Sequence, residues 1–260
     1  MRILVLGSSG VVGSALVNHL KKKKYDVVEF DLMKGDDLRI RGSIDSILDT
    51  GIDFVYFLAF DVGGSKYPMN STTYISNNMK LLQYTFESLE KYKIPFIHTT
   101  SQMSNMDHNP YGPLKKIAEF YTTLLGGVNV KLWNVYGPEE IGLKSHVITD
   151  FIHQAITHGC IKMLTDGSEK RQFLHADDFA DSLERIRNSY PSGSTIDVSS
   201  GKWVTIREIA DMICDTVIPG TEVSTFQTKT NEPSSEFIAT QDIPLEIGIQ
   251  RMKFKAMNSL

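Results

Sequence analysis

Residues 2–16 read RILVLGSSGVVGSAL. A short apolar run ends at Gly7, Gly10 and Gly13, and a segment with helical apolar spacing follows. This is the pattern of a strand, a tight turn and a helix. A bound phosphate needs a tight turn, a close backbone approach and a helix N-terminus aimed at it. Glycines at this junction supply all three. The spacing is G-x-x-G-x-x-G, so placement between strand and helix carries the reading. An ordinary loop of small residues is the competing explanation.

Outward from this turn, strands and helices alternate. Strands are expected at 2–6, 26–30, 53–59, 95–100 and 128–133, and helices at 11–23, 43–48, 74–91 and 113–125. Val-, Ile- and Phe-rich runs separated by helices predict a parallel sheet covered on both faces. After about residue 135 the pattern is less regular, with helical stretches at HVITDFIHQAI, DDFADSLERI and TIREIADMI and strand-like CIKML and STIDV. From 219 onward the chain is polar and broken by prolines. The expected organisation is a cofactor-binding domain over 1–135. Residues 136–260 form mainly a small substrate-binding lobe, with a segment at about 172–187 returning to the main sheet.

The chain has 260 residues, 41% hydrophobic and 22% charged, an ordinary globular balance. No window holds ~18 consecutive apolar residues and the N-terminus does not read as a leader, so no membrane partner is expected and the setting is cytoplasmic. Two cysteines, Cys160 and Cys214, make neither a disulfide framework nor a zinc site, and no metal is expected. A net charge of −4 argues against a nucleic-acid polymer as partner.

Asp31 ends the second strand, where a carboxylate accepts hydrogen bonds from ribose hydroxyls and repels a 2′-phosphate. That favours NAD over NADP, with Lys34 the nearest cation. In NPYGPLKKIAEF (109–120), Tyr111 and Lys115 share one face of a helix that is just starting. A phenol has a pKa of ~10, and two nearby positive charges, the ammonium and a cationic nicotinamide, are expected to bring Tyr111 near ~7. Ser101 ends the strand in HTTSQMS, at the sheet edge where ligands bind, with Thr100 as the fallback.

Glycine turn, strand-end serine and Tyr-x-x-x-Lys stand in the order seen in the extended short-chain dehydrogenase/reductases, the NAD-dependent nucleotide-sugar epimerases and dehydratases. The chain resembles this family over most of its length. The resemblance implies a doubly wound (Rossmann) α/β sheet, NAD as cofactor and a nucleotide-diphosphate sugar as substrate. GSSGVVG resembles the cofactor turn, implying contacts from Gly7, Ser9, Gly10, Val11, Val12 and Gly13. DDLR resembles the adenine-contacting segment (Asp37, Leu38), and FLAF the cofactor-lining one (Leu58, Ala59, Phe60). Tyr111 and Lys115 match the catalytic pair, with Glu119 trailing, and WNVYGP implies Val135 at the cofactor and Asn134 at the substrate. DGSEKRQFLHADDFADSL resembles the block that places an arginine, here Arg171, on the substrate diphosphate. Arg is also the best bidentate partner for phosphate oxygens, against an ion pair with Asp166 or Glu169. A homodimer built on the helices at 74–91 and 113–125 is implied as well.

The chain departs from the dehydratase pattern after the serine. Gln102 and Met103 stand where those enzymes carry an Asp-Glu pair, and Met103 stands closest to the cysteine position of C3/C5 epimerases. Gly63-Gly64 is a C3/C5-like feature, Lys131 replaces an arginine, and the chain is short for the family. Ser101, Tyr111 and Lys115 suffice for reversible oxidation of one hydroxyl. The expected activity is C4 epimerisation. A 4-dehydrogenase or 4-keto reductase is the alternative, and an NAD-binding regulatory protein the alternative of another class. His98 and His175 read as packed or hydrogen-bonded residues.

Overall fold

The computed structural model describes residues 1–63, 67–217, 219–225 and 242–257. In chain order its elements are β1 (Arg2–Leu6), α1 (Val11–Lys22), β2 (Asp26–Phe30), α2 (Asp45–Leu48), β3 (Phe54–Phe57), α3 (Thr72–Tyr92), β4 (Phe96–Ser101) and α4 (Tyr111–Leu124). Then come β5 (Val128–Leu132), β6 (Asn134–Tyr136), α5 (Val147–His158), β7 (Cys160–Lys162), β8 (Lys170–Arg171), β9 (Phe173–His175) and α6 (Ala176–Ser189). The chain closes with β10 (Thr195–Val198), β11 (Val204–Thr205), α7 (Ile206–Thr216), β12 (Glu222–Ser224) and α8 (Leu245–Met257). No helix among the described residues is long and apolar enough to cross a membrane.

The chain divides into two compact units. The first comprises Met1–Val62, Pro68–Leu132 and Phe179–Val198. It is built on a six-stranded sheet in the order β10-β5-β4-β3-β1-β2, every pair parallel. This is a doubly wound α/β fold. Strand order reverses at β1, with β2 on one side and β3 on the other, and in such sheets the crevice at the carboxyl ends is where ligands bind. Ile3, Leu4, Val5 and Leu6 are wholly buried, as a central parallel strand requires. Phe57 and Phe86 pack edge to face at 5.4 Å, and His98 and Phe96 join the cluster at centroid separations of 5.1–6.2 Å. Burial holds the His98 imidazole well below its ordinary pKa, aided by the charge of Lys115. It is a neutral core residue.

The second unit comprises Gly63–Tyr67, Trp133–Asp178 and Ser199–Leu260. Its core joins α5, α7 and α8 through Phe151, Ile152, Ile209, Ile213, Ile249 and Met252. Three two-stranded sheets, β6 with β9, β8 with β11 and β7 with β12, complete it. α7 starts on a reciprocal capping box between Thr205 and Glu208. α8 lies in a stretch read as irregular. Gly248 brings it against Tyr136, where an added Cβ would meet the hydroxyl at 2.1 Å. His175 is buried, accepts the Asp177 N–H at Nδ1 and meets Tyr136 edge-on. Gly64 lies outside the described residues.

Candidate active site

The turn between β1 and α1 is shaped by close approach. Gly7 has φ +87°, and its N–H donates to the Phe30 carbonyl at 2.9 Å. An added Cβ there would meet Ala59 N at 2.7 Å, so the turn lies against the Leu58-Ala59 backbone. At Gly13 a Cβ would lie 1.9 Å from the Gly7 carbonyl oxygen. At Gly10 the nearest protein atom would be 3.8 Å away, so that position opens outward. Gly10 is also the N-cap of α1, no side chain caps the helix, and its first turn, with Val11 and Val12, carries no acidic residue. An uncapped helix start beside an open glycine suits an anion, and the residues fit the pyrophosphate of a dinucleotide.

Asp31 is fixed at the same place. Its Oδ2 accepts the Ser9 N–H at 2.9 Å and its Oδ1 the Met33 N–H at 2.8 Å. A carboxylate has about four acceptor sites, so capacity remains for ribose hydroxyls. Lys34 is paired with Glu29 at 2.5 Å, and Lys21 holds the other Glu29 oxygen. Arg39 is held bidentately by Asp37. Both cations near Asp31 in sequence therefore have carboxylate partners. The Asp37 carboxylate accepts from Arg39, and Leu38 is buried.

Ser101, Tyr111 and Lys115 converge at the carboxyl end of β4. Ser101 is buried, and its Oγ accepts the Met103 N–H at 3.1 Å, which leaves its proton for the Tyr111 oxygen. Thr100 points elsewhere: its hydroxyl donates to Glu119 at 2.9 Å, as the alternation of a strand dictates. Glu119 in turn faces Lys116 at 3.1 Å and Lys131 at 3.5 Å, which gives the strand-five lysine an ion-pair role. Asn109 makes the turn into α4 by accepting the Tyr111 N–H. Tyr111 is half-buried against the edge of Phe60 at 5.7 Å. Lys115 is 3% exposed, donates to the Thr99 carbonyl at 3.0 Å and sits 3.9 Å above the Phe60 ring.

The expectation of a Tyr111 pKa near ~7 counts the charge of a bound nicotinamide, and the protein's own groups act the other way. Burial pushes the Tyr111 phenol up, and the Ser101 hydroxyl hydrogen-bonded to it opposes that rise. The group near neutrality is Lys115, brought down to about 7 by burial and partly held up by Glu119. Desolvation, which opposes charge on either group, outweighs their mutual attraction across the 5.9 Å from ammonium to phenol ring.

Asn134, Val135 and Arg171 belong to the second unit. Val135 pairs with Leu174 in the β6–β9 ladder. The Asn134 N–H donates to the Gln172 carbonyl at 3.3 Å, and its side-chain oxygen is buried with no hydrogen-bond partner among the described residues. Such an orphaned acceptor suits a ligand hydroxyl. Arg171 donates to the Lys170 carbonyl at 2.7 Å. Asp166 accepts from the Ser168 hydroxyl and Glu169 from that of Thr165.

Residues 3–198 match the sequence profile of the NAD dependent epimerase/dehydratase family. The chain belongs to this family. It is an enzyme family, and its cofactor is NAD. Within the family, the chain is 24% identical to UDP-glucuronic acid decarboxylase 6 of Arabidopsis thaliana, over 90% of this chain and 79% of that protein. It is 27% identical to the GDP-L-fucose synthase of Escherichia coli K12, over 83% of this chain and 81% of that protein. The UDP-glucose 4-epimerase of Thermotoga maritima, solved with UDP-glucose, superposes with a TM-score of 0.86 at 16% identity, covering 100% of this chain and 99% of that one. That likeness shows the shared Rossmann fold.

Proposed function

We propose that the protein is a nucleotide-sugar epimerase that inverts a sugar carbon, C4, through transient oxidation of its hydroxyl. The observation that carries this reading is the convergence of Ser101, Tyr111 and Lys115 at the end of β4, with no acidic residue at 102 or 103. NAD, when bound, supplies a hydride acceptor and a positive charge beside the phenol. Tyr111 takes the proton of the sugar hydroxyl and later returns it. Ser101 orients that hydroxyl and hydrogen-bonds the Tyr111 oxygen. Lys115 stabilises the phenolate and holds the nicotinamide ribose. Gly7, Ser9, Gly10, Val11, Val12 and Gly13 hold the pyrophosphate, Asp31 the adenosine ribose, and Asp37 and Leu38 the adenine side. Leu58, Ala59, Phe60 and Val135 line the cofactor.

The names of the matched relatives, each built on a nucleotide-linked sugar, support the substrate class. The test is incubation of the NAD-loaded protein with UDP-glucose and UDP-N-acetylglucosamine, followed by proton NMR of the sugar ring. The C4 epimer should accumulate to equilibrium without net NADH. Stoichiometric NADH formation would instead identify a dehydrogenase.

Arg171 and Asn134 hold the substrate, Arg171 by its diphosphate. Arg171→Ala should raise KM for the nucleotide-sugar at least ~10-fold with little change in NAD affinity, the signature of lost substrate binding. Unchanged substrate affinity would remove Arg171 from the site.

The active species is a homodimer. On α4, Ile117, Phe120, Tyr121 and Leu124 form one exposed apolar face, with Phe120 61% and Leu124 84% exposed. Ile75 and Met79 on α3 are also exposed, and Tyr121 stacks on Phe86 of α3 at 5.1 Å. Light scattering should give twice the chain mass, and Phe120→Asp with Leu124→Asp should halve it. A wild-type monomer at micromolar concentration would contradict this.

A further inference from the structure

We infer that Gly112 is a positioning residue that sets the separation of Ser101 and Tyr111. The inference rests on the reading of Tyr111 as the acid–base group. An added Cβ at Gly112 would lie 1.9 Å from the Met106 carbonyl oxygen and 2.6 Å from that of Met103. Both atoms are backbone, so no side-chain rotation relieves the contact. Ordinary contact begins at 3.4 Å, so any side chain would part the two segments by about 1.5 Å, from 1.9 Å to 3.4 Å.

The two segments are the mounts of the catalytic pair. Met103 and Met106 belong to the turn that follows β4. That turn is tied to Ser101 by the Met103 N–H on Ser101 Oγ at 3.1 Å, and Met106 N–H donates to Met103 O at 2.9 Å. Gly112 is the second residue of α4, directly after Tyr111. The missing side chain is therefore where the serine's turn meets the tyrosine's helix.

Backbone conformation does not demand glycine here. Gly112 lies within the helix and has no positive φ. Alanine is the better helix former, so local propensity opposes glycine. Close approach is the remaining reason for it. A hydrogen bond lengthened by about 1.5 Å is lost, and with it the Ser101 bond that favours the phenolate.

The test uses NAD-loaded wild type, Gly112→Ala and Gly112→Ser. Tyr111 ionisation is followed by tyrosinate absorbance, with the Tyr111→Phe protein subtracted. Gly112→Ala should keep a cooperative melting transition and bind NAD within about twofold of wild type, yet ionise at least about one pH unit higher. Gly112→Ser should shift in the same direction. In a Ser101→Ala background, the further shift from Gly112→Ala should vanish, because the bond it disturbs is already gone. Coincident midpoints for wild type and Gly112→Ala would overturn the inference. So would loss of the melting transition, since the contact would then hold the fold rather than the pair. A wild-type midpoint far above neutral would count against Tyr111 as the base, while the difference between proteins still reads the positioning role.

Discussion

Tyr111→Phe should fold, bind NAD and lose turnover by a factor of ~10² or more, the range expected for a positioned general acid–base. The phenol touches little that holds the fold together. It packs against the edge of Phe60 and hydrogen-bonds Ser101, and phenylalanine retains the first contact. The pH dependence follows from the Tyr111–Lys115 pair as a unit. Lys115 has a folded pKa of about 7, so the pair loses one proton as pH rises through that value. The remaining proton lies on either the phenol or the ammonium, and the phenolate–ammonium form is the base. Wild-type kcat/KM should therefore rise with pH to a plateau above about 7. The phenylalanine variant should show a flat, depressed profile. Normal turnover by Tyr111→Phe would make the residue an ordinary helix-start tyrosine.

The second large effect separates two glycines three residues apart. Gly13→Ala places a Cβ 1.9 Å from Gly7 O and 2.9 Å from the carbonyl carbons of Gly7 and Ser8. All are backbone atoms in one turn, so the turn must shift. Overpacking of this kind costs about 1–3 kcal/mol. For a chain of this size that lowers Tm by roughly 2–12 °C. NAD affinity should fall with it, by at least ~10-fold. Gly10→Ala behaves differently. It has φ −67° and no protein atom within 3.8 Å of the new Cβ, so the fold should tolerate it. The methyl group, however, occupies the open side of the helix start, where the phosphate approaches. Unchanged Tm without NAD, together with at least ~10-fold weaker NAD binding, is the expected result, from thermal melting and calorimetric titration. Full NAD affinity in Gly10→Ala would place the pyrophosphate elsewhere.

The sheet was legible because burial on both faces writes itself into composition. β1 and β3 are dominated by apolar residues, β4 by Phe96, Ile97 and the β-branched Thr99 and Thr100, and α1 and α3 present apolar residues at helical spacing. The break between β5 and β6 was not, because VNVKLWNVY carries no glycine or proline to mark it. α8 was missed for a related reason. In LEIGIQRMKFKAM a glycine interrupts the pattern, and its role is contact with Tyr136 rather than a turn. Chemistry-bearing residues were legible where residue type and element boundary coincide, as at Asp31, Ser101 and Tyr111. What spacing cannot encode is desolvation. Lys115 and Tyr111 were read as mutually stabilising charges, whereas burial sets both shifts. Gly112 left a signal in the sequence, a glycine in the first turn of a helix, but only the position of the Met103 and Met106 carbonyls gives it meaning.

The most direct measurement is the fate of hydrogen at the reacting carbon. A UDP-sugar carrying deuterium on C4 is incubated with the NAD-loaded protein in light water, and both epimers are analysed by NMR. Reversible oxidation at C4 predicts that both retain the deuterium and that conversion is slowed by a primary isotope effect. Replacement of the label by protium during epimerisation would contradict it.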